Sequence, residues 1–201
     1  MIEEARAELV ALYCLPDPRF AEIGIPPTTD VTAAAYDAIL REGLLMQLRQ
    51  VPAGGRIEDD ALRARATIAR YVQARGQRDG VVDRRQRDGK TYFTISDHDR
   101  LRALFGELLG ETQRILSQGD GVAARSLVEK YGTTVDPKLQ AEVVTRFESL
   151  GIPAFTGFLN PRIVPVERDG VVIDARIEYP DDFEEQMLEY ADTHSFLPTW
   201  N

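Results

Sequence analysis

The sequence predicts a mainly helical fold with two small β-hairpins, on three observations. Seven segments carry helical apolar patterning. Most of them open on a cap residue or close on a glycine or proline. Two Asp-Gly pairs, Asp88–Gly89 and Asp169–Gly170, each lie between short strand-forming runs, the mark of a tight hairpin.

The first helix covers Ile2–Leu15. Leu9–Leu15 has no charge on any face, which predicts a helix buried all round. Pro16–Pro18 and Ile25–Asp30 then break the pattern twice and bracket a loop. Thr29 or Asp30 can cap a helix over Asp30–Gln50, where Ala34, Tyr36, Ile39, Leu40, Leu44, Leu45 and Leu48 give a broad apolar face. Pro52–Gly55 ends it. A third helix over Ile57–Arg75 stops at Gly76, read as the residue just past the helix end.

The first hairpin pairs Val81–Arg85 with Lys90–Ile95. Ser96 is the expected cap of a helix over Asp97–Gln118, with Leu101, Leu104, Phe105, Leu108, Leu109 and Ile115 as its core face. His98 in its first turn reads as an exposed polar residue. A helix over Val122–Lys130 ends at Gly132. Asp136 then caps, and Pro137 opens, a helix to Leu150 that stops at Gly151. The loop Ile152–Pro161 is expected to pack over the core. Arg162–Glu167 and Val171–Tyr179 form the second hairpin, with Val171, Ile173, Ala175, Ile177 and Tyr179 on one face. Pro165 places its first strand at an edge. A last helix covers Asp181–Thr193, and Phe196 and Trp200 can anchor the tail. The chain thus reads as one region, 1–201, mostly helical over 1–150 and ending in loop, hairpin and helix over 151–201.

Composition sets the limits. Of the 201 residues, 43% are hydrophobic and 28% charged, ordinary for a folded domain. The net charge of −9 argues against nucleic acid as a partner. Arg63, Arg65, Arg70 and Arg75, and Arg84, Arg85 and Arg87, each have acids beside them and read as solvated or ion-paired faces. The single Cys14 excludes an internal disulfide and suggests a small buried side chain in a reducing cytoplasm. No basic-flanked leader or ~20-residue apolar run appears, so no membrane association is expected. No internal repeat, glycine-rich phosphate loop or nucleophile-elbow pattern is visible.

The chemically suggestive stretch is Glu3–Glu8, EEARAE. Glu4 and Glu8 share one helical face, and two like charges there cost roughly 0.2–0.5 kcal/mol. A cation is therefore expected on that face, either an arginine or a metal ion. Arg6 can pair with Glu3 at a spacing of three. A zinc ion accepts a Glu oxygen but needs two or three more ligands, usually His. The only histidines, His98 and His194, do not form a ligand-spaced pair.

EEARAE resembles the EExRA(E/D) motif of the dipeptidyl peptidase III family of zinc metallopeptidases. Leu40–Leu48, Asp88–Phe93, Glu107–Asp120, Tyr131–Val143 and Gly157–Pro161 resemble, in the same order, the C-terminal part of bacterial members. The resemblance covers nearly the whole chain. It implies a portion of the helical zinc lobe of a two-lobed exopeptidase that removes N-terminal dipeptides from short peptides. Glu4 maps to a zinc ligand, and Glu3 and Glu8 to acids that orient the ligand histidines. The family's HExxGH motif, source of both histidines and of the general base, appears nowhere in the chain, so half of the zinc site is missing. The chain alone is expected to be inactive. A family helix carries a His and, four residues later, an Arg that face the substrate. These map to Ala61 and Arg65, so the arginine is kept and the histidine is not. The alternative expectation is a non-catalytic helical module that binds a peptide or partner chain. Either way, an apolar surface on the first helix would favour self-association or docking of the missing half.

Overall fold

A computed structural model of the protein describes residues 1–23, 29–152 and 159–194. Among them are eight α-helices, a 3₁₀ turn and two separate two-stranded antiparallel sheets, so the fold is mainly α with two small hairpins. In order these are α1 (Ile2–Cys14), α2 (Arg19–Glu22), α3 (Thr29–Leu44), the 3₁₀ turn Met46–Gln50, α4 (Asp60–Gly76), β1 (Val82–Arg87), β2 (Lys90–Ile95), α5 (His98–Gln118), α6 (Gly121–Tyr131), α7 (Pro137–Glu148), β3 (Arg162–Arg168), β4 (Val171–Glu178) and α8 (Phe183–His194). The chain separates into two units, Met1–Ile152 and Pro153–Asn201.

The first unit is built around α1, α3, α4 and α5. Leu9, Tyr36, Ile68, Val72, Leu101, Leu104, Phe105 and Leu108 are buried together between them. Smaller clusters, Leu48 with Leu139 and Val143 and Val51 with Ile57 and Ala66, seat α7 and the segment before α4. Helix α5 runs antiparallel to α1: Arg6 reaches Gln113 at one end, and Arg102 donates to the Tyr13 carbonyl at the other, 2.9 Å. Two glycines permit close helix contacts. A Cβ at Gly43 would come within 2.5 Å of the Ala69 Cβ and the Arg65 carbonyl oxygen, and one at Gly106 within 2.7 Å of the Tyr13 ring. Any larger side chain would push α3 from α4, or α5 from α1.

Helix boundaries follow local chemistry, with several corrections. Asp59, Asp97, Asp120 and Asp136 each cap a helix through backbone amides. The cap of α5 is therefore Asp97 and not Ser96, because the carboxylate of Asp97 accepts from the Arg100 amide at 2.8 Å. Gly76 does not terminate α4 in a left-handed conformation. It is the last helical residue, and its Cβ would meet Val81 and Leu104 at 3.1 and 3.2 Å, so its smallness serves packing. The helix expected over Asp30–Gln50 stops at Leu44 and tightens into the 3₁₀ turn. The short α2 lies inside the expected loop.

Helix α1 also differs from the expectation that it is buried all round. Ala5, Leu9 and Leu12 are buried, but Val10 is 42% and Tyr13 39% exposed. The helix lies at the outside of the unit, with one face on α4 and α5. Cys14 is half-buried, not enclosed.

Both Asp-Gly turns form as expected, with Asp88, Gly89, Asp169 and Gly170 all at positive φ. Hairpin β1–β2 packs on α4, α3 and α7. Hairpin β3–β4 carries a bulge at Val166/Glu167, and in the second unit Gln186 of α8 bonds the Asn160 amide and carbonyl at 2.9 and 2.8 Å. Most of the expected loop Ile152–Pro161 and the tail with Phe196 and Trp200 lie outside the described residues. Among the described residues, no helix is long and apolar enough to cross a membrane.

Candidate functional site

The acidic head of α1 lies beside the first half of α4. The chain's amino group is 3.4 Å from Glu4 and 3.5 Å from Asp60, and one to two turns along both helices Glu8 meets Arg65. The two helices therefore run side by side in the same direction. Two cations answer the expectation for the Glu4 and Glu8 face, the chain's amino group at Glu4 and Arg65 at Glu8, while a second arginine, Arg6, serves Glu3. Arg6 pairs with Glu3 within α1 and also reaches Gln113 of α5 at 3.3 Å. Arg65, from α4, sits with its Nε 4.0 Å from the Glu8 carboxylate. The pairing of Glu8 with Arg65 crosses 57 positions of sequence, and spacing within α1 could not reveal it.

Electrostatics separate the three glutamates. The Glu8 side chain is 34% exposed. Burial pushes its carboxyl above the ordinary range, and the positive charge of Arg65 only partly offsets that. Hydrogen bonding to Glu3 and its charge hold the Arg6 guanidinium more firmly protonated. Glu4 is different. Its side chain is 53% exposed and, among the described residues, pairs with the chain's amino group alone, at 3.4 Å, so much of the carboxylate stays in contact with solvent.

Arg65 has its backbone packed against Gly43 and its guanidinium at ion-pair range of Glu8, and its side chain remains 43% exposed. A guanidinium so held keeps donors free for a carboxylate or a peptide carbonyl. Ala61, one turn earlier on α4, is exposed and presents only a methyl group. Asp60 was not marked by any sequence pattern as part of this neighbourhood. It arrives because α4 starts beside the head of α1.

The described residues do not compose a metal centre by themselves: no group of three or more His, Cys, Asp or Glu among them could hold a metal ion. Glu4 offers one carboxylate, and among the described residues no imidazole accompanies it. His98 is exposed and stacks on Tyr36 with ring centroids 6.2 Å apart, in keeping with a polar surface residue. The side chain of His194 lies outside the described residues.

The arginine runs read as ion-paired faces largely are so. Arg63 pairs with Asp60, Arg84 with Asp136 and Arg85 with Asp83, while Arg70 is spent on the carbonyls of Tyr131 and Thr134. Comparison with known proteins adds no assignment to this geometry: no family model and no curated protein matches the sequence.

Proposed function

We propose that this chain is the C-terminal portion of a zinc exopeptidase of the dipeptidyl peptidase III type, acting on the N-termini of short peptides. The observation that carries the reading is the juxtaposition of EEARAE with Arg65: a half-exposed Glu4 carboxylate and a half-exposed guanidinium on adjacent helices. In this reading Glu4 is one zinc ligand. The two histidine ligands and the general base belong to an HExxGH segment outside these 201 residues, and zinc is held only when that segment is docked. Glu3 and Glu8 orient the ligand histidines of that segment, and Arg65 holds the substrate by a peptide carbonyl or carboxylate.

A second reading has its own support. Ala61 offers no proton donor beside Arg65, and Val10 and Tyr13 leave apolar surface open on α1. Both suit a non-catalytic module that binds a partner chain or a second copy of itself.

One experiment separates the two. The gene is sequenced upstream of the Met1 codon, and any HExxGH-bearing segment found there or in a neighbouring gene is expressed with this chain. Zinc content and release of N-terminal dipeptides from a peptide mixture are then measured. The peptidase reading expects both only when the two parts are together, and expects Glu4→Ala to remove both. No such segment, or no zinc in the joined protein, would leave the binding module as the better description.

A further inference from the structure

Away from the glutamate cluster, the C-terminal ends of α4 and α6 and the first half of α5 enclose a groove of about 630 Å³, lined among others by Arg75, Arg78, Arg100, Leu104, Lys130 and Tyr131. Its volume is that of a small-molecule site. Four cations meet two carboxylates there, Asp79 and Glu107, leaving a net charge of +2 in a chain whose net charge is −9.

The carboxylates are already engaged. Both face Arg100, with Asp79 3.7 Å and Glu107 3.4 Å from its guanidinium. Among the described residues, Arg75, Arg78 and Lys130 have no carboxylate partner. Arg75 lies over the Tyr71 ring at 5.4 Å and Lys130 over Tyr131 at 5.1 Å, and the two rings pack edge to face. Cations at helix C-termini ordinarily serve the last carbonyls. Here several of those carbonyls have other donors. The Gly76 carbonyl accepts from Asp79 and Val81, that of Gln73 from Gln77, and that of Tyr131 from Arg70. Three cations are thus converged on an aromatic and leucine floor with no carboxylate at ion-pair distance among the described residues.

We propose that this groove binds a small phosphate-bearing anion, with Arg75, Arg78 and Lys130 on the phosphate oxygens and Tyr131 against the rest of the ligand. Guanidinium groups in pairs suit the several oxygens of a polyphosphate better than a single carboxylate.

The test is calorimetric titration of the full chain with tripolyphosphate, ATP without metal, and citrate, at low and at physiological salt. The expected result is saturable 1:1 binding of tripolyphosphate or ATP in preference to citrate. Arg75→Ala with Arg78→Ala should weaken it at least about tenfold, the loss of roughly one charge-assisted hydrogen bond. Lys130→Ala should weaken it further. Arg84→Ala with Arg87→Ala, equal in charge but outside the groove, should change it less than about twofold. Circular dichroism checks that the exposed substitutions leave the fold intact. Tighter binding of ATP than of tripolyphosphate identifies a nucleotide, and equal binding a simple polyphosphate. Preference for citrate, equal loss in the control pair, or no saturable binding at low salt would each overturn the proposal.

Discussion

Two hairpins in this protein share the same turn and differ in everything that surrounds it. Arg87-Asp88-Gly89 and Arg168-Asp169-Gly170 place Asp and Gly at nearly the same positive φ values, 52° and 71° in the first and 54° and 77° in the second. In β1–β2, Val82 and Thr91 are fully buried, and the Glu142 carboxylate of α7 accepts from both the Thr91 amide and its hydroxyl, the latter at 2.7 Å. In β3–β4 no strand side chain is buried. Ile163 is 72% exposed, and its cross-strand partner Ile177 is 58% exposed. Turn chemistry therefore forms a hairpin, but only contacts made by distant segments decide whether it becomes part of a core.

The contrast can be broken most forcefully from inside the first unit. Phe105→Ala, at a site with no solvent exposure, should cost about 3–5 kcal/mol in urea denaturation. In hydrogen exchange it should strip protection from β1–β2 amides and leave β3–β4 amides as they were. Loss of protection in both would mean that the hairpins share one cooperative unit. Glu142→Ala is next, at about 1–3 kcal/mol, because it leaves the buried Thr91 groups without their acceptor. Gly89→Ala and Gly170→Ala form a matched pair, each placing a side chain in the left-handed region at about 1–2 kcal/mol. The first should lower the stability of the whole unit. The second should be felt only as faster amide exchange within β3–β4. Val172→Ala should stay within about 0.5 kcal/mol, since its side chain is already in water.

Titration sharpens the same comparison. Burial pushes the Tyr36 hydroxyl, which donates to the Leu12 carbonyl at 3.1 Å, up to about 12. A value raised by folding stabilises fully below the unfolded value of about 10, and that stability is lost as pH rises toward 12. The urea midpoint of the first unit should accordingly fall across that window, and Tyr36→Phe should flatten the fall. Glu8 gives the smallest effect. Its carboxyl is also raised by folding, so the associated stability is present below the ordinary carboxylate range and is lost as pH rises through the folded value. Glu8→Gln should thus raise the melting temperature slightly at pH 7 and not at pH 3. A lowered melting temperature at pH 7 would show that attraction to Arg65 outweighs burial.

The candidate site shows the same division between local and distant information. That Glu3 would find Arg6, and that Asp136 and Pro137 would open a helix, follow from spacings of three residues or fewer, and both are present. That Glu8 would find Arg65, and that Asp60 would come to the head of α1, depend on α1 and α4 packing side by side, 57 positions apart and more in the chain. The all-apolar run Leu9–Leu15 misled for a related reason. A run without charge is compatible with burial, but solvent exposure is set by how many neighbours arrive, and α1 received them on one side only.

Residues close in the chain were enough to mark seven of the helical segments, the Asp136 cap and both Asp-Gly turns, because those rest on backbone conformations and hydrogen bonds within a few residues, whereas the caps at Asp59, Asp97 and Asp120 and the short α2 carried no mark that was read. Tertiary contacts decided which carboxylate stays exposed, which arginine lies beside it, which cations converge on the groove between α4, α5 and α6, and that β1–β2 joins the core of its unit. Those depend on the meeting of surfaces far apart in the chain, where burial and charge act through space rather than along the sequence.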